Sequence, residues 1–139
     1  MSTDPDCIFC KIAAGRIPSH KVYEDDHVFA FLDINPLSEG HTLIIPKTHA
    51  VTLDQLPADS LAACGLAVKK IAPALVKVTQ CPDWNLLQNN GKLAGQVVMH
   101  VHFHLIPRRE GDGLGFRWPA GKLSADRATE LKTAIIEKI

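Results

Sequence analysis

Gln96-Val97-Val98-Met99-His100-Val101-His102-Phe103-His104-Leu105-Ile106-Pro107 is the stretch around which the chain is organised. Histidine alternates there with an apolar residue, and an extended strand sends successive side chains to opposite faces. The pattern predicts one strand with His100, His102 and His104 on one face and Val101, Phe103 and Leu105 packed on the other. Histidine titrates near neutrality and serves as nucleophile, proton carrier or metal ligand, so a row of imidazoles over a buried sheet is a candidate chemical site. Solvated surface histidines are the plainer alternative. Three at period two, entered by Asn89-Asn90-Gly91 and Gly95-Gln96, argue against it.

Outward from this strand, Trp84 to Gln88 reads as the strand before it, joined through a glycine-bearing loop from Asn89 to Gly95. Lys21 to Glu24 and His27 to Ile34 form a hairpin about an Asp25-Asp26 turn. Asp33 closes an almost wholly apolar run just before Asn35-Pro36, placed either to accept hydrogen bonds at a sheet rim or simply to start a turn. Gly40 to His49 holds a further strand bracketed by His41 and His49. From Pro57 to Thr79, Leu61, Cys64, Val68, Ile71, Leu75 and Val78 recur at steps of three and four, the mark of an amphipathic helix. Pro73 inside it removes a backbone donor and predicts a kink or a break. A short helix between Asp6, as cap, and Gly15 opens the chain, and a terminal helix over Ser124 to Lys138 turns Ala128, Leu131 and Ile135 inward. Strands in runs, rather than alternating with helices, predict an α+β antiparallel layer of about five strands.

The 139 residues suit one domain, 1–139, able to bury most of its apolar surface. Formal net charge is zero, with no basic stripe, which argues against nucleic-acid or membrane-surface partners and for a small molecule or another protein. The N-terminus has no basic segment leading into an apolar core, and no stretch is as long as a membrane span, so a soluble, cytoplasmic protein is expected. Four cysteines in such a chain read as thiols or metal ligands rather than a disulfide framework. Cys7 and Cys10 lie one turn apart and could supply half of a tetrahedral zinc site; a redox pair or two buried small residues are the alternatives.

His100-Val101-His102-Phe103-His104-Leu105-Ile106 resembles the His-x-His-x-His signature of the histidine triad (HIT) nucleotide-binding family, on the bacterial side of its Hint branch. Cys7 to Ile12, Val22 to Asp25, Ala30 to Ile34, Gly40 to Lys47, Asn89 to Gly91 and Ala94 to Gln96 resemble the same branch in order. Coverage runs from about residue 7 to 109; the tail, 110–139, is similar only through Trp118-Pro119-Ala120-Gly121.

The resemblance implies a hydrolase in which His102 attacks the α-phosphorus of a purine nucleotide derivative, an AMP or GMP compound, to give a nucleotidyl-histidine that water hydrolyses. His104 would contact the phosphate and deliver a proton, and His41 would support the hydrogen bonding of the triad. Gln96, Asn89 and the amides from Gly95 to Val97 would cradle phosphate. Asp33 would hold the ribose, and Phe9, Ile12, Ile34 and Leu43 would wall the base. Catalysis would need no metal, whereas Cys7, Cys10, His49 and His100 would hold a structural zinc. A homodimer sharing the long helix is also implied. Val97 departs from a serine found in animal Hint proteins, which leaves His104, Gln96, a backbone amide or water to serve the leaving group. A nucleoside 5′-phosphoramidate is the expected substrate; a dinucleoside polyphosphate, or nucleotide binding with little turnover, are the alternatives. A zinc hydrolase using His100, His102 and His104 as ligands fails on reach, since residues i and i+4 of a strand lie roughly 13 Å apart.

Overall fold

Residues 1–115 and 118–139 are described by the computed structural model. In chain order these are α1 (Ile8–Ala13), β1 (Lys21–Glu24), β2 (Val28–Leu32), β3 (Thr42–Pro46), α2 (Ala58–Thr79), β4 (Asp83–Gln88), β5 (Phe103–Arg108) and α3 (Ala125–Ile136). The strands form one sheet in the order β1-β2-β3-β5-β4, every neighbouring pair antiparallel. This is the α+β layer expected from the order of elements.

Both faces of the sheet centre are covered, which is why β2 and β3 read as unbroken apolar runs rather than alternating ones. Val28, Ala30, Ile44 and Leu105 meet Cys64, Ala67, Val68 and Ile71 of α2. On the opposite face Phe29, Phe31, Leu43 and Ile45 meet Phe9 and Ile12 of α1. The Asp25 turn forms as its sequence suggests, one carboxylate oxygen accepting from the amides of His27 at 2.9 Å and Val28 at 2.8 Å. Gly40 packs where any side chain would collide: a Cβ there would lie 2.7 Å from Thr79 Cγ2, and its φ of +90° suits glycine.

Five expectations need correction. The histidine strand is shorter than its alternation suggests, because the His100 amide donates to Val98 O at 2.9 Å and the Val101 amide to Ala50 O at 2.8 Å. The ladder therefore starts at Phe103, and the backbone bends before it. The break expected as one outcome at Pro73 does not occur: helix α2 runs through it, with the proline on the exposed side. Its buried stripe is narrower than the period suggests, Leu61 being 38% and Val78 83% exposed, because their neighbours Ser60 and Thr79 take the inward positions, Ser60 buried and Thr79 against Gly40. Helix α3 buries nothing: Ser124 caps it, accepting from the Arg127 amide at 3.2 Å, but Ala128 and Ile135 are exposed and Leu131 only half-buried. Asp6 caps nothing either. Cys7 holds the N-cap position of α1 without a side-chain bond, and the Asp6 amide instead donates to Asp4 at 2.8 Å. No helix among the described residues is long and apolar enough to cross a membrane.

Candidate active site and metal centre

A cleft of about 530 Å³ opens on the α1 face of the sheet. The ends of β2, β3 and β5, helix α1 and the loop before β5 surround it. Its walls include Phe9, Ile12, Ile34 and Leu43, and its polar groups include Asp33, Asn89, His41, His102 and His104. His104 of β5 lies beside His102, one residue before the strand, ring centroids 4.8 Å apart, and β3 pairing sets Leu43 opposite His104.

The hydrogen-bond partners determine which nitrogen of each imidazole carries the proton. A carbonyl only accepts, so His102, with Nδ1 2.7 Å from the His100 carbonyl, is protonated there, and Nε2 holds the free lone pair. The Leu37 amide donates to His41 Nδ1 at 3.1 Å, which leaves the His41 proton on Nε2. That Nε2–H donates to His104 Nδ1 at 2.9 Å. His104 consequently carries its own proton on Nε2. The pair of rings in the cleft thus offers one nucleophilic nitrogen and one N–H donor.

Burial holds these rings neutral. Desolvation pushes the His104 pKa down to about 4, with His102 and His41 adding to the effect and Asp33 opposing it. Desolvation also lowers His41 and His102. Asp33 stands 3.8 Å from His41 Nδ1 and accepts from the Asn35 amide at 2.8 Å, so it starts a turn and faces the site at once. Asp33, His41 and His104 are close enough together to suggest a metal site. Both nitrogens of His41 are already engaged, however, and a hydrogen-bonded relay accounts for the cluster.

His100 goes elsewhere. The bend before β5 turns its fully buried ring into a second cluster with Cys7, Cys10 and His49, whose donor atoms all lie within 4.8 Å of one another. Its Nδ1 is 3.4 Å from Cys7 Sγ, 3.6 Å from Cys10 Sγ and 3.2 Å from His49 Nδ1, and Cys10 Sγ is 3.5 Å from His49 Nδ1. Tetrahedral zinc with ordinary bond lengths requires roughly 3.6 Å between sulfur and nitrogen donors and roughly 3.3 Å between two nitrogens. The four residues fit that ion. His100 Nε2 donates to the Pro46 carbonyl at 2.9 Å, which orients the ring and leaves Nδ1 as donor atom. The N-terminal segment straps His49 down: its amide donates to Ser2 O at 2.7 Å and Ser2 Oγ donates to its carbonyl at 2.8 Å. Burial pushes the Cys10 thiol up, against the Asp4 amide and with help from Cys7; a divalent cation reverses this by taking the thiolate.

The model of the HIT domain family matches residues 14–111. The chain belongs to the HIT family. An adenosine 5′-monophosphoramidase of Candida albicans is 44% identical to this HIT chain, over 100% of it and 95% of the relative. A Streptococcus mutans protein of known structure superposes with a TM-score of 0.93 at 41% identity, covering 98% of this chain and 87% of that one. A zinc-bound histidine triad family protein from Mycobacterium smegmatis superposes with a TM-score of 0.74 at 37% identity, covering 95% and 94%.

In this HIT protein most of the anticipated site residues meet in the cleft: Phe9, Ile12, Asp33, Ile34, His41, Leu43, Asn89, Gly95, Val97, His102 and His104 all line it. The Gln96 side chain does not. It is buried beneath the loop, accepting from the Gly91 amide at 2.7 Å and donating to Val51 O at 2.7 Å and Val98 O at 3.2 Å, so it shapes the loop before β5 instead of reaching into the cleft. The cleft also includes Ile8, Ile17, Pro18, Ser19, Leu37 and Val98, which no periodicity pointed to. Only the Ile17-Pro18 step just after α1 could have suggested a wall there.

Proposed function

We propose that this HIT protein hydrolyses purine nucleoside 5′-phosphoramidates at the α-phosphorus through a nucleotidyl-His102 intermediate. The observation that carries the reading is the paired tautomers: a free His102 Nε2 beside a His104 that carries its proton on Nε2. The name of the Candida relative, an adenosine 5′-monophosphoramidase, supports the same substrate class. In the first step His102 Nε2 forms a bond to phosphorus as the phosphorus–amine bond breaks, and the amine leaves with a proton supplied through His104. Water then attacks the nucleotidyl-histidine, its proton passing to His104 to replace the one given to the amine, and the phosphorus–Nε2 bond breaks to release the nucleoside monophosphate and restore the neutral His102 imidazole. An anionic phosphate beside His104 opposes the desolvation that keeps it neutral, and Asp33 acts in the same sense, so the substrate itself helps recruit the proton.

Asp33 takes the ribose hydroxyls, the apolar walls take the purine by shape, and Asn89 with the amides around Gly95 takes the phosphate. Adenosine is favoured only weakly over guanosine, because apolar walls read a ring's outline more than its edge. Val97 is 86% exposed and donates no side-chain hydrogen bond, so the leaving group is served by His104, an amide or water. The reading is tested by kcat/KM for adenosine 5′-phosphoramidate and diadenosine tetraphosphate on one preparation. The amidate should be the better substrate, and a preference for the dinucleotide would reverse the assignment.

Cys7, Cys10, His49 and His100 hold one structural zinc ion in this reading, supported by donor spacings that match a tetrahedral site. Zinc ties α1 to the end of β3 and to the approach to β5. The protein acts as a homodimer, supported by β4, a sheet edge with part-exposed Trp84 and Leu86. Light scattering at micromolar concentration should give twice the chain mass.

A further inference from the structure

We infer that the Cys7–Cys10–His49–His100 cluster positions the nucleophile and the base wall, so that metal occupancy and nucleotide binding are coupled through His100 and Phe9. The inference rests on the zinc reading above. His100 is fully buried and tethered at three points: Nδ1 faces the two thiols and His49, Nε2 donates to Pro46 O, and its carbonyl accepts the His102 Nδ1–H. Ligation through Nδ1 fixes the ring, the ring fixes its own Cα, and the attached carbonyl is what keeps the lone pair of His102 on Nε2. Without the ligation that carbonyl is held only by its peptide partner, the Val101 amide bonded to Ala50 O at 2.8 Å, and by the Nε2 bond to Pro46 O, so its position loosens, and with it the tautomer on which attack depends.

Phe9 is the second link. It lies between the two cysteines in α1, a helix of six residues without a side-chain cap, too short to hold itself in water. Its ring meets His102 edge-on at 5.1 Å, His100 at 5.9 Å and Phe31 at 5.7 Å, and it lines the cleft. Ligation at Cys7 and Cys10 therefore holds the same short helix whose middle supplies a wall of the base pocket. Both links run from ligand residues to groups that touch the substrate, and neither passes through solvent.

Coupling between two binding sites is reciprocal, so it can be read on the intact, zinc-loaded chain. Zinc affinity is measured by competition with a chromophoric chelator, with and without saturating AMP. AMP should tighten zinc by about fivefold or more, and zinc should tighten AMP by the same factor in calorimetry. Metal analysis of the loaded protein separates the two failures. Absence of bound zinc would overturn the zinc reading and this inference together, whereas zinc whose affinity AMP changes less than about twofold would overturn the coupling alone. His49→Asn, at a ligand that does not line the cleft, supplies a second readout: the ¹⁵N spectrum of His102 should show one tautomer in the loaded native chain and a mixture in the variant. An unchanged spectrum would also overturn the coupling. If the variant fails to fold, the chelator competition still decides.

Discussion

His100 and His102 stand two residues apart, both buried, each bound by one ring nitrogen to a main-chain carbonyl, and they are equipped for different chemistry. In His100 the carbonyl takes Nε2, so the nitrogen nearer the backbone is free and can close a compact cluster with Cys7, Cys10 and His49. In His102 the carbonyl takes Nδ1, so the free nitrogen is at the far end of the ring, where it reaches into a cleft. Which nitrogen is occupied, rather than the residue type, divides the proposed ligand from the proposed nucleophile.

The comparison is broken most sharply by His102→Ala. Turnover should fall by a factor on the order of 10⁴ or more while AMP still binds, and a trapped intermediate on the native chain should carry its label on His102. Near-native turnover in the alanine variant would remove the nucleophile assignment. His104→Ala should cost about 10²- to 10⁴-fold in kcat with an amine leaving group and much less with a phenolate, which departs without a proton. Equal losses for the two leaving groups would mean that His104 binds phosphate and delivers no proton.

The other half of the comparison should respond in stability first. Cys7→Ser should lose the bound zinc, about one ion per native chain, together with the stability it confers, about 2.7 kcal/mol at a hundredfold excess over its Kd. Metal analysis and urea unfolding check this, and a metal-free native protein as stable as the variant would refute it. The smallest effect sharpens the contrast through pH. The folded His104 titrates at about 4 against an ordinary 6.5, so between these values the unfolded chain binds the extra proton. Its contribution to stability is full above pH 6.5 and is lost as pH falls toward 4. His104→Asn should flatten the dependence of unfolding free energy on pH in that window; an unaltered slope would place the titration elsewhere.

Much of this was legible because short-range physics carried it. The strand at β5, the Asp25 turn and the helix at α2 depend on neighbours in sequence, and they form, though the strand starts only at Phe103. The failures are equally local in cause. Leu61 and Val78 obey the helical period but sit at the margin of the buried stripe, beside Ser60 and Thr79, and the apolar stripe of α3 buries no residue. Gln96 has the chemistry of a phosphate ligand, but the loop that carries it needed its amide first.

By itself the sequence determined the residue types, the period that sets His102 beside His104, and the order of strands that makes an antiparallel layer. Spacing in one dimension cannot say where a backbone stops being extended. Tertiary contacts decided that: the bond from the Val101 amide to Ala50 bends the chain before β5, sends His100 to partners 51 to 93 positions away in sequence, and leaves His102 facing the cleft. The ring tautomers were settled in the same way, because a proton goes to whichever nitrogen meets an acceptor, and those acceptors come from chain distant in sequence or from its bend.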